Sequence, residues 1–527
     1  MKRGFAAFAA VGATALVLTA CSGGGSPEGT GAGGDTTVKI AVQNDPGTLN
    51  PITNATDAGL NVIGFGYESL LDYPAGEEPR GLLAEKWEST TTEVTYTLKE
   101  GILCVDGEPL TASDVKATFE YAAKDETGSP YRGVYFPTDG LTITADDDAR
   151  TVTFTSDEAQ SFLAETTGSL SIVCASGLAD PSVLDTEFHG TGPYTLASSS
   201  PGQNYSFALR DDYAWGPDGV TAETGGLPAS VNLQIVESDA TAANLVQTGE
   251  VNLAAVGGTE RDRLDSMEFT QTLDVPLRPG LLFFNQAEGR VGHDLAVRQG
   301  IAQAIDRDAV GKVSSSGRGE QITTLVSEFG AACTAMDSSS AIPTFDLDAA
   351  AATLDEAGWT VGSDGIRAKD GKQLKVLMLF PASESAGVTA AIELLQVELK
   401  EIGVDAVPTP SSSYTDVIFS GGDWDMVWAP IYTSLPSDWA GILGGDFPPD
   451  GGNWTYNTNE EYFDLVGVAQ GQAGADSCPA WQDAQDSLFS HLEVLPVFSS
   501  TSTFYGAGVE FGLNKGIISP TALRVAG

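Results

Sequence analysis

Basic residues are scarce in this chain of 527: Lys and Arg number 26 against 72 Asp and Glu, a formal charge of −46. Binding to a phosphate backbone draws on clustered cations that displace counterions, and here carboxylates outnumber every cation, so nucleic acid is excluded as a partner. Histidine is scarcer still, with His189, His293 and His491 far apart in the chain. That leaves little for a zinc site or the usual hydrolytic triads, and neither His-Glu-x-x-His nor Gly-x-Ser-x-Gly occurs. Carboxylate-pair glycoside hydrolysis has no distinguishing motif either, because acidic residues are everywhere. No metal and no cofactor is expected. What is present is an ordinary globular composition, 42% hydrophobic and 19% charged, long enough for two to four domains of roughly 150 residues.

Long apolar runs are confined to the start. Lys2 and Arg3 precede an apolar stretch from Phe5 to Leu18, about fourteen residues, which suits a secretory signal over 1–20 and is short for a membrane span. Leu18-Thr19-Ala20-Cys21 follows and is similar to the bacterial lipobox, in which the cysteine sulfur is acylated. The Gly- and Ser-rich segment to Gly34 makes 21–34 a lipidated Cys21 with a flexible tether. Anchoring on the outer face of the cytoplasmic membrane would then rest on lipid alone. Cys104, Cys174, Cys333 and Cys478 remain, an even count in an exported chain, and counting leaves three pairings open.

After the tether, Val38, Ile40 and Val42 alternate as in a half-buried strand that ends at Asn44-Asp45-Pro46-Gly47. Strands are expected again at 93–98, 102–105, 150–155 and 231–236, with a tight turn at Asp106-Gly107. Thr111 is placed to cap a helix, with Asp114 in its first turn. The run Leu281 to Asn285 suits a buried strand, and Val388, Ala391, Ile392, Leu395, Leu399 and Ile402 mark one face of a helix that Gly403 stops. Strand and helix alternation points to α/β layers.

Several motifs occur in a familiar order: Asn44-Asp45-Pro46, Tyr67-Glu68-Ser69-Leu70, Leu83-Ala84-Glu85-Lys86-Trp87, Leu110-Thr111-Ala112-Ser113-Asp114-Val115, Gly190-Thr191-Gly192-Pro193-Tyr194, Ala304-Ile305-Asp306-Arg307 and Tyr456-Asn457. From about Val38 onward the chain resembles the family 5 extracellular solute-binding proteins, the peptide and nickel group of ABC importers. The resemblance implies an α/β, two-lobed, periplasmic-binding-protein-like fold (type II, cluster C) with a hinge and an enlarged first lobe. Lobe one would comprise 35–278 plus 500–527, and lobe two 279–499. Pairing Cys104 with Cys174 and Cys333 with Cys478 keeps each bridge within one lobe. It also implies a monomer that is no enzyme: it captures a peptide or similar small amphipathic solute in the interlobe cleft and passes it to ABC permease subunits. The other classes to weigh are a secreted hydrolase and a sensor or adhesion lipoprotein on the same scaffold.

Aromatic residues are densest from Trp424 through Trp428 and Tyr432 to Trp439, with Trp454 close behind, in a region that contributes to the cleft in the family. Rings of this kind bury much apolar area against a solute. The expected ligand contacts are therefore Trp424, Trp428, Tyr432, Trp439 and Trp454, with Asn44 and Tyr67 from lobe one. Alternation of Trp424, Met426 and Trp428 fits a strand with one face in the core equally well. Peptide-binding members carry an Asp in this loop that pairs with the peptide ammonium. Aligned on Pro436, that place holds Tyr432, so Asp438 is the candidate substitute.

Overall fold

The computed structural model describes residues 36–526 apart from Gly76, Thr138 and Tyr432, with only the backbone at 277–279; the expected signal, Cys21 and the tether lie outside the described residues. One eleven-stranded sheet organises the rest. Its strands are β1 (Thr37–Gln43), β2 (Tyr194–Ser200), β3 (Asn204–Leu209), β4 (Ser230–Val236), β5 (Leu253–Val256), β6 (Gln271–Phe284), β7 (Gly319–Glu320), β8 (Lys375–Pro381), β9 (Asp405–Ser411), β10 (Met426–Ala429) and β11 (Val494–Gly506). They lie in the order β9-β8-β10-β6-β11-β5-β1-β4-β3-β2, with β7 beside β11.

The long strands β6 and β11 hold the two halves together. They pair antiparallel from Gln271 opposite Gly506 to Phe283 opposite Val494. β5 joins the far end of β11, and β10 joins the far end of β6, so each long strand belongs to both halves. Their register slips between Pro276 and Pro279, and again between Gly280 and Leu281. Proline has no amide proton to give a ladder, so a break there is expected, and it leaves two well-paired ends joined by a weaker middle.

Local chemistry explains the elements. Val38, Ile40 and Val42 are buried on β1, which is sandwiched between the parallel strands β4 and β5. The run Leu281 to Phe284 is buried on both faces because it closes the end of β6 between β10 and β11. Thr111 and Asp114 form a reciprocal capping box on the helix Ala112–Ala122. Ser385 caps the helix Ala386–Glu401, whose buried face is Ala391, Ile392, Leu395 and Leu399. Gly403 adopts φ 81° just beyond it, a left-handed value that a side chain would strain.

One expected strand is different. Residues 102–105 form only a single bridge, Leu103 opposite Pro109, because Cys104 is drawn into a disulfide with Cys174 and the Val105 amide donates to Gly190. The second disulfide joins Cys333 to Cys478. A separate antiparallel sheet, in the order Ala84–Ser89, Glu93–Leu98, Thr151–Ser156, Leu141–Asp146, adds bulk to the first half. Among the described residues no helix is long and apolar enough to cross a membrane.

Candidate functional site

A cavity of about 280 Å³ lies where the two halves face each other. Its walls come from the helix Asp57–Ile63 and the residues after it, from Tyr131 and Tyr135, from Ser169 and Ser171, and from 514–521; Ser434 reaches it from the second half. A second groove, of about 450 Å³, is lined by Arg80, Lys99, Trp215 and Asp218, all in the first half. It is larger, yet only the first cavity is touched by both halves, which is what a two-sided grip on a solute requires.

Each wall is held by its own bonds. Thr56 caps the helix by accepting from the Gly59 amide. Tyr67 lines the cavity with its hydroxyl fixed, accepting from the His189 amide at 3.0 Å and donating to the Glu187 carbonyl at 3.3 Å. Beneath it Glu68 is wholly buried and accepts from Tyr213 Oη at 2.6 Å, Trp215 Nε1 at 2.8 Å and Thr191 Oγ1 at 2.9 Å. Burial pushes its carboxyl up, and those donors hold it down. Tyr131 donates to the Asn54 carbonyl at 2.7 Å and stacks on Tyr135 with ring centroids 4.9 Å apart.

Lys515 supplies the only positive charge on the cavity wall among the described residues. It sits at a tight turn between the paired segments Leu513–Asn514 and Ile517–Ile518, with φ 49° at Lys515 and 80° at Gly516. A left-handed backbone at a lysine costs about 1–2 kcal/mol, so its neighbours must enforce it. They do. Asn514 Nδ2 donates to Asp72 Oδ1 at 2.7 Å, Asp72 is paired with Arg80 at 2.8 Å, and the Lys515 amide donates to the Tyr73 carbonyl at 3.2 Å. The ammonium lies 4.2 Å from the Tyr73 ring centre and 5.2 Å from that of Tyr135, and donates to Ser169 Oγ at 2.6 Å. Burial lowers its pKa to about 7 against the opposing charges of Asp72 and Asp438.

Asp438 faces this lysine from the second half. It opens the helix Asp438–Leu443, accepts from the Leu435 amide at 3.2 Å, and is raised by burial to about 6, with Lys515 opposing the rise. Its charge also contributes to pushing Tyr135 up to about 12, after burial. A cavity with stacked phenols and a cation on its wall can bind a small polar-ended, apolar-bodied molecule. Among the described residues no His, Cys, Asp and Glu cluster could hold a metal.

The remaining residues expected at the ligand are placed as follows. Trp424, Trp428, Trp439 and Trp454 are all buried and committed to packing: Trp454 meets Phe283 and Trp424, Trp439 stacks on Phe283 and donates to the Leu325 carbonyl, and Trp428 meets Phe498 and covers Gly280. None of the four is among the described residues lining the cavity, a correction to their expected place. For Trp428 the reason is the sheet: its strand β10 lies between β6 and β8, and all four of its residues are buried. Asn44 is also corrected, since it is exposed at a φ 63° turn and is absent from the described lining. Tyr432 lies outside the described residues.

A family model for bacterial extracellular solute-binding proteins, family 5, matches residues 78–452. The chain belongs to that family. Similar proteins include Protein XP55 of Streptomyces lividans, 27% identical over 478 residues, covering 85% of this chain and 78% of that protein. A substrate binding protein from Microbacterium hydrocarbonoxydans, solved with 4-hydroxybenzoate hydrazide, is 25% identical with TM-score 0.71 over 93% of this chain and all of that one (100%). The ABC transporter substrate binding protein CtaP of Listeria monocytogenes superposes with TM-score 0.76 at 17% identity, covering 93% of this chain and 99% of that one. The fold is that of the two-lobed family 5 binders, whose work is solute capture.

For this family 5 chain, sequence reasoning missed Tyr131, Tyr135 and Lys515. A signal for the lysine did exist. It is one of few cations in the chain, and it stands in Leu513-Asn514-Lys515-Gly516-Ile517, where apolar flanks around an Asn and a Gly mark a tight buried turn.

Proposed function

We propose that the chain is the solute-receiving lipoprotein of an ABC importer, taking a peptide or similar small amphipathic solute between its lobes and handing it to the permease. The observation that carries this reading is the cavity that both halves line, with Tyr67, Tyr131, Tyr135 and Lys515 on one side and Ser434 on the other. A solute gripped from both sides stabilises the closed form by its differential affinity for that form, and closure is the signal a permease can read. The register slips near Pro276 and Gly280 support a hinge there, with lobe one as 35–278 plus 500–527 and lobe two as 279–499. Cys21 would carry the lipid, holding a monomer at the outer face of the membrane.

Volume narrows the solute. At about 280 Å³ the cavity lies at the small end of ligand sites, which run from ~300 to 1,000 Å³. That favours a dipeptide or a single aromatic acyl compound over a long peptide. The small aryl ligand named for the Microbacterium structure is of the second kind. Thermal stabilisation of the purified chain across a panel of dipeptides, longer peptides and aryl acid derivatives tests the proposal. Stabilisation confined to the short members is expected; stabilisation only by long peptides, or none, would refute it.

A further inference from the structure

We infer that Lys515 is the anchor for a carboxylate on the transported solute, so that the cleft selects small solutes with a free acid beside an apolar or aromatic body. The inference rests on the importer reading above and deepens it by naming the ligand's chemistry. Four observations carry it.

The first is geometry. The Lys515 ammonium lines the cavity and is clamped between the Tyr73 and Tyr135 rings, at 4.2 and 5.2 Å from their centres. Ring faces attract a cation without consuming its donors, so they position the group and leave it available. The second is donor count. An ammonium has three protons to give, and Lys515 gives one to Ser169 Oγ; among the described residues no carboxylate is in contact with it. Asp72, the nearest candidate on its own wall, is already engaged through Arg80 on Oδ2 and Asn514 on Oδ1.

The third is cost. A lysine is an unfavourable choice at a left-handed turn position, where Asn or Gly would be free of strain, and it is unfavourable again as an enclosed charge. Two penalties at one residue are expected where an element serves binding and not folding. The fourth is the size of the charge. Lys515 is the one cation on the described wall, which Asp57, Glu68 and Asp72 also line, so the wall offers one positive contact and a phosphate dianion is repelled.

The test is calorimetric binding of aromatic dipeptides as free acids and as their C-terminal amides to the full mature chain. In the wild type the free acids bind roughly 10- to 100-fold tighter than the amides, the worth of one charge-assisted contact. In Lys515→Met that ratio falls to about one, and Lys515→Arg keeps a preference for the acid. A second readout needs no variant. Burial holds the Lys515 pKa near 7, and the groups facing it are Asp72, Asp438, Tyr73 and Tyr135. A carboxylate contact raises that value, so free acids take up more protons at neutral pH than their amides do, visible as a dependence of enthalpy on buffer ionisation. The peptide ammonium is common to both probes and cancels. Equal affinity of acid and amide with Lys515→Met unchanged overturns the inference while the importer reading stands. No binding of any dipeptide to the wild type overturns the inference and the short-solute reading together.

Discussion

The two halves of the molecule use their aromatic rings in opposite ways. In the second half Trp424, Trp428, Trp439 and Trp454 sit close in sequence and are buried: Trp424 meets Trp454, Trp439 and Trp454 meet Phe283, and Trp428 meets Phe498. In the first half Tyr67, Tyr131 and Tyr135 come from separated segments and converge on the cavity. Ring density along a chain therefore reports where a core is built. A binding surface is assembled from rings that lie far apart in sequence and carry a polar atom. The hydroxyls of Tyr67 and Tyr131 have fixed partners, which orients their rings at the cavity wall.

The strongest way to break that contrast is Trp424→Ala. Removing a fully buried indole should cost about 3–5 kcal/mol in chemical denaturation, while whatever remains folded binds dipeptides as before. Unchanged stability with lost binding would move that ring to the ligand. Next comes the disulfide of the first half. Converting Cys104 and Cys174 to Ser opens a loop with a sequence separation of 70 residues and should lower stability by about 4 kcal/mol on the chain-entropy account, read as a fall in the denaturation midpoint. Tyr135→Ala should do the reverse of Trp424→Ala: dipeptide affinity drops about 5- to 30-fold, from roughly 1–2 kcal/mol of ring contact, with a far smaller change in stability.

The smallest effect concerns pH. Burial raises Asp438 to about 6 and Glu165 to about 7, above their values in an unfolded chain, so the native state holds protons there that the unfolded state has lost. Stability of the empty protein should accordingly fall as pH rises from about 4 towards 7. Lys515 acts in the other sense, since its lowered pKa makes stability rise above pH 7. Asp438→Asn should flatten the acid side of a melting-temperature profile between about pH 4 and 6, and Lys515→Met the alkaline side.

Much of the fold was readable because it follows from period and punctuation. The alternation at Val38 to Val42, the cap at Thr111 and the stop at Gly403 are local signals, and each appears in place. Residues 102–105 escaped because a bond to distant Cys174 outweighs local strand preference. The site was less legible. Tyr67 lines the cavity, yet Tyr131, Tyr135 and Lys515 are brought there by pairings across the chain: Lys515 depends on Asp72 through the bond from Asn514, which spans 442 positions. Strand β10 shows the converse. It carries Trp428, whose alternation with Trp424 and Met426 describes a covered strand as well as a binding loop, and only the neighbours β6 and β8 decide between them.

Small-angle scattering of the chain, empty and saturated with its tightest-binding dipeptide, tests the central claim most directly. A solute held by both walls should shrink the radius of gyration in the wild type, and less so at the same peptide concentration in Tyr135→Ala. Identical curves with and without a peptide shown to be bound, or a peptide recovered chemically altered, would contradict the account.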